Sequence, residues 1–139
     1  MKANSLKQTA QAIFNTGIQA VSPEACIVRY LTISGSLLQV AETEFDLDEI
    51  KQIFVVGAGK ASAAMAHQVE NILGHRITDG LIITKHGHGV PLEQCRIVEA
   101  GHPVPDKKGM DGAAALDDLL ITGPTRTNVM DMQILLVST

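Results

Sequence analysis

The chain has 139 residues, of which 45 % are hydrophobic and 19 % are charged. This length and balance are typical of one globular domain and argue against an intrinsically disordered chain. The formal net charge of −4, without a basic stripe in the sequence, predicts that nucleic acid is not a partner.

The beginning of the chain and its cysteines predict a cytoplasmic protein. The first 16 residues are mixed and polar, unlike a secretory signal. No apolar run approaches the roughly 20 residues that a membrane-spanning helix needs, so we predict no membrane partner. Cys26 and Cys95 form no CxxC pair, and we expect reduced, buried and inert thiols.

Two helices and a short β segment are predicted before the main sheet. Apolar residues recur at three-to-four spacing over residues 6–21, which indicates a first helix. Ser22 as N-cap and Pro23 as the first helical residue predict a second helix that ends near residues 32–35. Residues 36–45 have β character and fit either a short hairpin or an extended arm over the surface.

The second half of the chain has the pattern of an α/β sheet protein. Short continuous apolar runs indicate strands that are buried on both faces of a parallel sheet. Such runs lie at residues 53–56, 80–84 and 133–137, a further, shorter strand is predicted at 96–99, and helices are predicted at 60–73 and from Asp106 to about 121. This order predicts a doubly wound, mostly parallel Rossmann-like sheet with the amino-terminal helices packed on it.

The last apolar run stops at Ser138 and Thr139. In a parallel sheet this point is the carboxyl edge, where the binding site of such folds lies. We therefore expect the chain to be part of a domain. An apolar strand at residues 134–137 without its neighbours would favour self-association into a homo-oligomer.

The segment from Gly57 to Lys60 is the strongest local signal. Glycines between a buried strand and a helix let a backbone approach an anion, which the positive helix N-terminus and Lys60 would attract. The segment is not a P-loop, and Ser62 replaces the third glycine of a dinucleotide fingerprint. A tight turn with a solvated lysine is the alternative interpretation.

Two further loops carry polar residues. Lys85 precedes a His86-x-His88 pair, which fits polar or substrate-contacting residues better than a metal site because no third ligand cluster is visible. Prolines stiffen the segment from His102 to Asp106, which fits either a substrate pocket or a rigid connector. We predict no metal ligand in the chain.

Three segments together resemble a known family. They are VVGAGKA (residues 55–61), GLIITKHGH (80–88) and EAGHPVPD (99–106). In this order and spacing they resemble the type II glycerate 2-kinases, two-domain enzymes whose carboxyl-terminal part is called the MOFRL domain. Some members carry the name hydroxypyruvate reductase. The resemblance covers about residues 5–121.

The resemblance implies ATP-dependent phosphorylation of D-glycerate at its 2-hydroxyl, with Mg²⁺ accompanying the nucleotide. Residues 1–139 would then be the amino-terminal part of the Rossmann-like domain, and the MOFRL domain would be absent. Lys60 matches the family's active-site lysine. The resemblance assigns contacts with glycerate or nucleotide to the matching motif residues, which are Gly57, Gly59, Lys85, His88, His102 and Asp106.

Two other functions stay open at this point. A nicotinamide-dependent hydroxypyruvate reductase is disfavoured because Thr84 and Lys85, rather than an acidic residue, end the second strand of the sheet. A folded fragment without catalysis is the other alternative. For the isolated chain we favour this outcome, because one half of a cleft cannot orient two substrates.

Overall fold

The computed structural model describes residues 3–115 and 131–138. The helices are α1 (Ala3–Ala20), α2 (Pro23–Tyr30), α3 (Ser62–Leu73) and α4 (Lys107–Ala114). The strands are β1 (Leu31–Ser34), β2 (Leu37–Val40), β3 (Thr43–Asp46), β4 (Gln52–Gly59), β5 (Asp79–Lys85), β6 (Cys95–Ala100) and β7 (Asp131–Ser138).

Strands β1, β2 and β3 form a small antiparallel sheet in chain order. Of the two predicted forms for residues 36–45, the hairpin is confirmed, since Leu38 of β2 pairs with Phe45 of β3. The prediction that α2 continues to residues 32–35 is wrong, because β1 already begins at Leu31 and pairs with β2. Gly35, with φ of 63°, supplies the left-handed backbone of the turn between them.

The main sheet has the strand order β6-β5-β4-β7 and confirms the predicted α/β class. Strands β4, β5 and β6 are parallel. Helix α3 packs on the face that carries Val55 and Ile82, whereas Gly112 of α4 lies against Ile83 and Val98 on the other face. Helices on both faces explain why β4 and β5 contain continuous apolar runs.

The direction of β7 differs from the prediction. It runs antiparallel to β4, with Gln52 opposite Ser138 and Gly59 opposite Asp131. Ser138 therefore lies at the amino edge of the parallel strands and not at their carboxyl edge. An apolar run identifies a strand but contains no information about its direction. Strand β7 lies at the edge of the sheet, and its Leu136 is 54 % exposed. An exposed apolar edge strand can pair with a second chain, so self-association through β7 stays a prediction.

The boundary between β4 and α3 also moves. The sequence predicts a strand that ends at Val56 and a helix from Lys60, but β4 continues to Gly59 and α3 begins at Ser62. Pairing with β7 along the full length of β4 explains the longer strand. The predicted helix from Asp106 is confirmed as far as Ala114, and its predicted remainder falls largely outside the described residues.

The amino-terminal helices differ in their burial. Helix α2 packs against α3, whereas apolar side chains of α1 such as Ile13 and Phe14 are exposed. No helix in residues 3–115 is long and apolar enough to cross a membrane.

Glu70 is a charged residue in the core, only 9 % exposed. Its carboxylate accepts hydrogen bonds from the backbone N–H groups of Glu93, Gln94 and Cys95 at 2.8, 2.9 and 2.8 Å. Burial raises the pKa of Glu70, but these donors outweigh it, and the pKa lies below its ordinary value. One carboxylate of α3 thereby fixes the chain that enters β6.

The thiol of Cys95 is buried, as predicted, and lies beside the same carboxylate, whereas Cys26 is only half-buried, so the prediction of a buried thiol is wrong there. Burial and the contact with Glu70 raise its pKa to about 12. Cys95 is therefore a neutral thiol at physiological pH, which fits an inert core residue and not a nucleophile.

Replacing Glu70 should make the stability less dependent on pH. A carboxylate whose pKa is lowered in the folded state stabilises the fold at pH values above its ordinary pKa of 4.5. This contribution is lost as the pH falls through the pKa of the folded state. We expect Glu70→Gln to lower the free energy of unfolding by about 1–3 kcal/mol at pH 7, with a smaller difference below pH 4.5. Urea unfolding followed by circular dichroism measures both values. The exposed Glu49→Gln is the control, and an equal loss in both variants would contradict the assignment.

Ser62 joins the carboxyl ends of β4 and β5. Its hydroxyl lies 2.7 Å from the carbonyl oxygen of Gly59 and 3.1 Å from that of Ile83, and its side chain is fully buried. One hydroxyl proton is shared between the two carbonyls. The serine at the third position of the glycine motif therefore has a structural reason, because glycine there would leave both carbonyls without this donor.

Removing this hydroxyl should loosen the two strand ends. We expect Ser62→Ala to lower the free energy of unfolding by about 1–2 kcal/mol, the usual cost when a buried hydrogen bond is lost. Thermal and urea unfolding measure the change, with the exposed Ser34→Ala as the control variant. Unchanged stability in Ser62→Ala would show that solvent replaces the hydroxyl.

Candidate anion-binding site

A small pocket lies where the carboxyl ends of β4, β5 and β6 meet. Its volume is about 100 Å³. The residues that line it are Ala58, Gly59, Lys60, Ile83, Thr84, Lys85, Ala100, Gly101 and His102. Ligand sites in parallel α/β sheets lie at this edge, because the strand ends and the loops that follow them converge there.

Two lysines give the pocket a positive charge. Lys60 follows β4 and is exposed, and Lys85 is the last residue of β5 and is half-buried. Neither lysine forms an ion pair with another residue in the part of the chain that the structure describes. Their charges therefore remain available to a bound anion.

The backbone around Lys60 is held in place from two sides. Gly59 has φ of 120°, a conformation that side chains with a Cβ rarely adopt. The buried Thr84 hydroxyl donates to the carbonyl oxygen of Lys60 at 3.4 Å. Helix α3 begins two residues later without a side-chain cap, so its positive end adjoins the same edge of the sheet.

His102 lines the third side of the pocket. It lies in the loop between β6 and α4, and its side chain is exposed. The loop returns tightly on itself at Gly101, where a Cβ would lie only 2.6 Å from the carbonyl oxygen of Val104. Asp106 then begins α4 as its N-cap and accepts from the N–H of Gly109 at 3.0 Å.

The structure thus brings together four of the predicted site residues, namely Gly59, Lys60, Lys85 and His102. Gly57 lies inside β4, buried and paired with Ile82 and Gln133, one strand position away from the pocket lining. His88 is exposed in the loop after β5 and does not line the pocket.

Asp106 lies beside the pocket rather than in its lining, and both of its oxygens have partners. Oδ1 accepts from Gly109, and Oδ2 lies 3.1 Å from Nε2 of His86. Hydrogen bonds from the N–H groups of Gly109 and Gly101, followed by the contact with His86, lower the pKa of Asp106 to about 2. Asp106 is therefore an anion throughout the physiological range.

Nothing in the local sequence predicted the pair that His86 forms with Glu99. Nδ1 of His86 lies 3.9 Å from Oε2 of Glu99, whose Oε1 accepts from the N–H of Gly89 at 3.0 Å. The backbone N–H groups of Gly87 and Gly89 lower the pKa of Glu99. Only the convergence of β5 and β6 at one edge could have pointed to the pair, since no local spacing links it.

Two properties decide what this pocket can bind. Among the described residues, the lining contains cationic side chains and no carboxylate, which favours an anion. A volume of about 100 Å³ is well below the roughly 300–1,000 Å³ of whole-ligand pockets, so the pocket accommodates one carboxylate or phosphoryl group. In residues 3–115 and 131–138, no group of three or more His, Cys, Asp or Glu side chains is arranged to hold a metal ion.

Proteins of similar sequence include named kinases. A glycerate 2-kinase of Pyrococcus horikoshii is 30 % identical over 138 residues, which are 99 % of this chain and 30 % of that protein. A protein of Agrobacterium vitis that carries the name hydroxypyruvate reductase is 41 % identical over 76 residues, 48 % of this chain and 20 % of that protein. The chain thus spans less than a third of the length of these relatives.

The fold has a counterpart among solved structures. A crystal structure of a Pyrococcus horikoshii protein superposes with a TM-score of 0.66 at 32 % identity and covers 81 % of this chain and 25 % of that one. The family described as "Domain of unknown function (DUF4147)" matches residues 9–138. The resemblance to glycerate 2-kinases is thereby confirmed at the level of the family, and the chain belongs to the DUF4147 family.

Proposed function

We propose that this chain is part of a kinase that transfers the γ-phosphoryl group of ATP to the 2-hydroxyl of D-glycerate and forms 2-phosphoglycerate. One observation carries the proposal: Lys60 and Lys85 converge on a pocket that accommodates one carboxylate or phosphoryl group. The names of the relatives supply the reaction. The substrates are small molecules in this proposal.

Lys60 has the central role. Phosphoryl transfer depends mainly on positioning and on neutralising negative charge, which a lysine beside a fixed backbone supplies. The Nζ group of Lys60 would neutralise either the glycerate carboxylate or the transferred phosphoryl group. Lys85 adds a second charge, and His102 donates or accepts a hydrogen bond at the mouth of the pocket.

The described residues fit part of a nucleotide. The pocket accommodates one phosphate group beside Gly59 and Lys60, whereas the adenosine needs far more space than about 100 Å³. None of the described residues that line the pocket has a carboxylate, so these side chains do not fit as Mg²⁺ ligands. In this proposal the nucleotide brings the ion with it, and residues outside this pocket bind the adenosine.

We propose that the 139-residue chain alone has no catalytic turnover. It spans about 30 % of the length of the Pyrococcus relative. Orientation of both substrates supplies a large part of the rate enhancement, and one edge of a cleft provides only some of the contacts. A cytoplasmic location is part of the proposal, since Cys26 and Cys95 are both free thiols.

A hydroxypyruvate reductase is the second candidate because the Agrobacterium relative carries that name. Two features of the site disfavour nicotinamide binding. Ser62 takes the position of the third glycine with its side chain buried, and Lys85 ends β5 where an acidic residue would bind a ribose hydroxyl. The two candidates differ in their substrates, so one pair of assays separates them.

One prediction from this proposal concerns the reaction that is catalysed. We expect ADP release from ATP, D-glycerate and Mg²⁺ in a chimera that joins this chain to the remaining part of the Pyrococcus relative, and none from the chain alone. A coupled assay measures the ADP. NADH oxidation with hydroxypyruvate, run beside it, should stay at background. Activity in the second assay only would replace the kinase by the reductase.

A further prediction concerns Lys60 as the residue that neutralises the charge in transfer. In the chimera, Lys60→Ala should lower turnover by about 100-fold or more, because the charge in transfer loses its neutralising partner. Lys85→Ala should have a smaller effect on turnover. Lys51→Ala is the matched control, since Lys51 is an exposed lysine just before the opposite end of β4. Turnover of the Lys60→Ala variant within a few-fold of the parent would show that Lys60 does not neutralise the charge in transfer.

A further inference from the structure

We propose that His86 is a positioning residue for the anion pocket. Its imidazole links Glu99 at the end of β6 to Asp106 at the start of α4, and thereby holds the intervening loop, with His102, against Lys60 and Lys85. This role rests on the proposed function, because it assumes that the pocket binds an anion.

The two ring nitrogens of His86 point to two different carboxylates. Nε2 lies 3.1 Å from Oδ2 of Asp106, and Nδ1 lies 3.9 Å from Oε2 of Glu99. The backbone of His86 is fixed as well, since its N–H donates to the carbonyl oxygen of Ala100 at 3.2 Å. The imidazole therefore spans the start and the end of the loop at residues 100–106.

Each carboxylate also organises the backbone around it. Asp106 accepts from the N–H of Gly109, which begins α4, and from that of Gly101, which lines the pocket. Glu99 accepts from the N–H groups of Gly87 and Gly89 in the loop after β5. The imidazole of His86 lies between these two sets, within hydrogen-bond distance of Asp106 and 3.9 Å from Glu99.

The loop has little room to compensate for a lost contact. A Cβ at Gly101 would lie 2.6 Å from the carbonyl oxygen of Val104 and 3.2 Å from Cβ of Asp106. The backbone of the loop therefore lies directly on Asp106. In this proposal a displacement of Asp106 also shifts Gly101 and the adjacent His102, which form one side of the pocket.

The bridge also keeps negative charge away from the anion. Glu99 and Asp106 both have lowered pKa values and lie close to a pocket whose two lysines have no described acidic partner. Without the imidazole, Oδ2 of Asp106 loses the only side-chain partner that the described residues give it. The freed carboxylate would then compete with the anion for Lys60 or Lys85.

The test uses the 139-residue chain, inorganic phosphate as the probe and ¹⁵N NMR. Phosphate affinity comes from the shifts of the Gly59, Lys60 and Gly101 amides. Loop order comes from hydrogen exchange of the Gly101 and Gly109 amides, which needs no ligand. His86→Ala should weaken phosphate binding about fivefold and speed exchange at both glycines.

Two variants separate positioning from other roles. His86→Gln should stay within about twofold of the parent, because its amide can still donate to Oδ2 of Asp106. His75→Ala, which removes an exposed imidazole near the amino end of β5, should change neither readout. A glutamine that fails to restore affinity while exchange is normal would mean that the ring itself contacts the anion, and would overturn the proposal.

The remaining outcomes are equally decisive. Unchanged exchange at Gly101 and Gly109 in His86→Ala would overturn the bridge, whether or not phosphate binds. Faster exchange with unchanged phosphate affinity would show that the bridge positions nothing. If the parent chain binds no phosphate but exchange still depends on His86, the proposed anion site fails, and His86 keeps a structural contact without a positioning role.

Discussion

The parallel alignment of β4, β5 and β6 is the constraint on which the candidate site depends. Parallel strands in register bring their carboxyl ends to one edge, so residues far apart in the sequence become neighbours there. Lys60 and His102 follow β4 and β6, Lys85 is the last residue of β5, and all three line one pocket. The hydrogen-bonded backbone of the sheet places Lys60 and Lys85 at this edge, whereas the proposed contacts of His86 position the loop that carries His102.

The polar groups at this edge fall into two sets. Ser62, Thr84 and Asp106 have their side-chain oxygens committed to hydrogen bonds within the protein. The lysines have no ion pair with described residues. Structural oxygens that are already satisfied do not rearrange to meet a ligand, so the cost of ordering the site is met on folding. A small anion then encounters fixed backbone and available positive charge.

The predictable part of the molecule is the part that local pattern determines. Continuous apolar runs identified β4 and β5, because burial on both faces leaves no polar alternation. The direction of β7 was not predictable, since the same run fits either orientation. Gly57 belongs to a glycine motif by sequence, but pairing with β7 draws it into the strand. The bridge at His86 joins side chains 20 residues apart, and no periodicity records such a contact.

The charge distribution explains how a chain of net charge −4 can present an anion site. Near the pocket, the negative charges of Glu99 and Asp106 are directed at backbone N–H groups and at His86. Their field at the lysines is thereby reduced, although they lie close by. The edge is cationic because its carboxylates already have hydrogen-bond donors within the protein, and not because basic residues are in excess. Such a site favours a small anion that enters the pocket over a polyanion, which would need an extended basic surface.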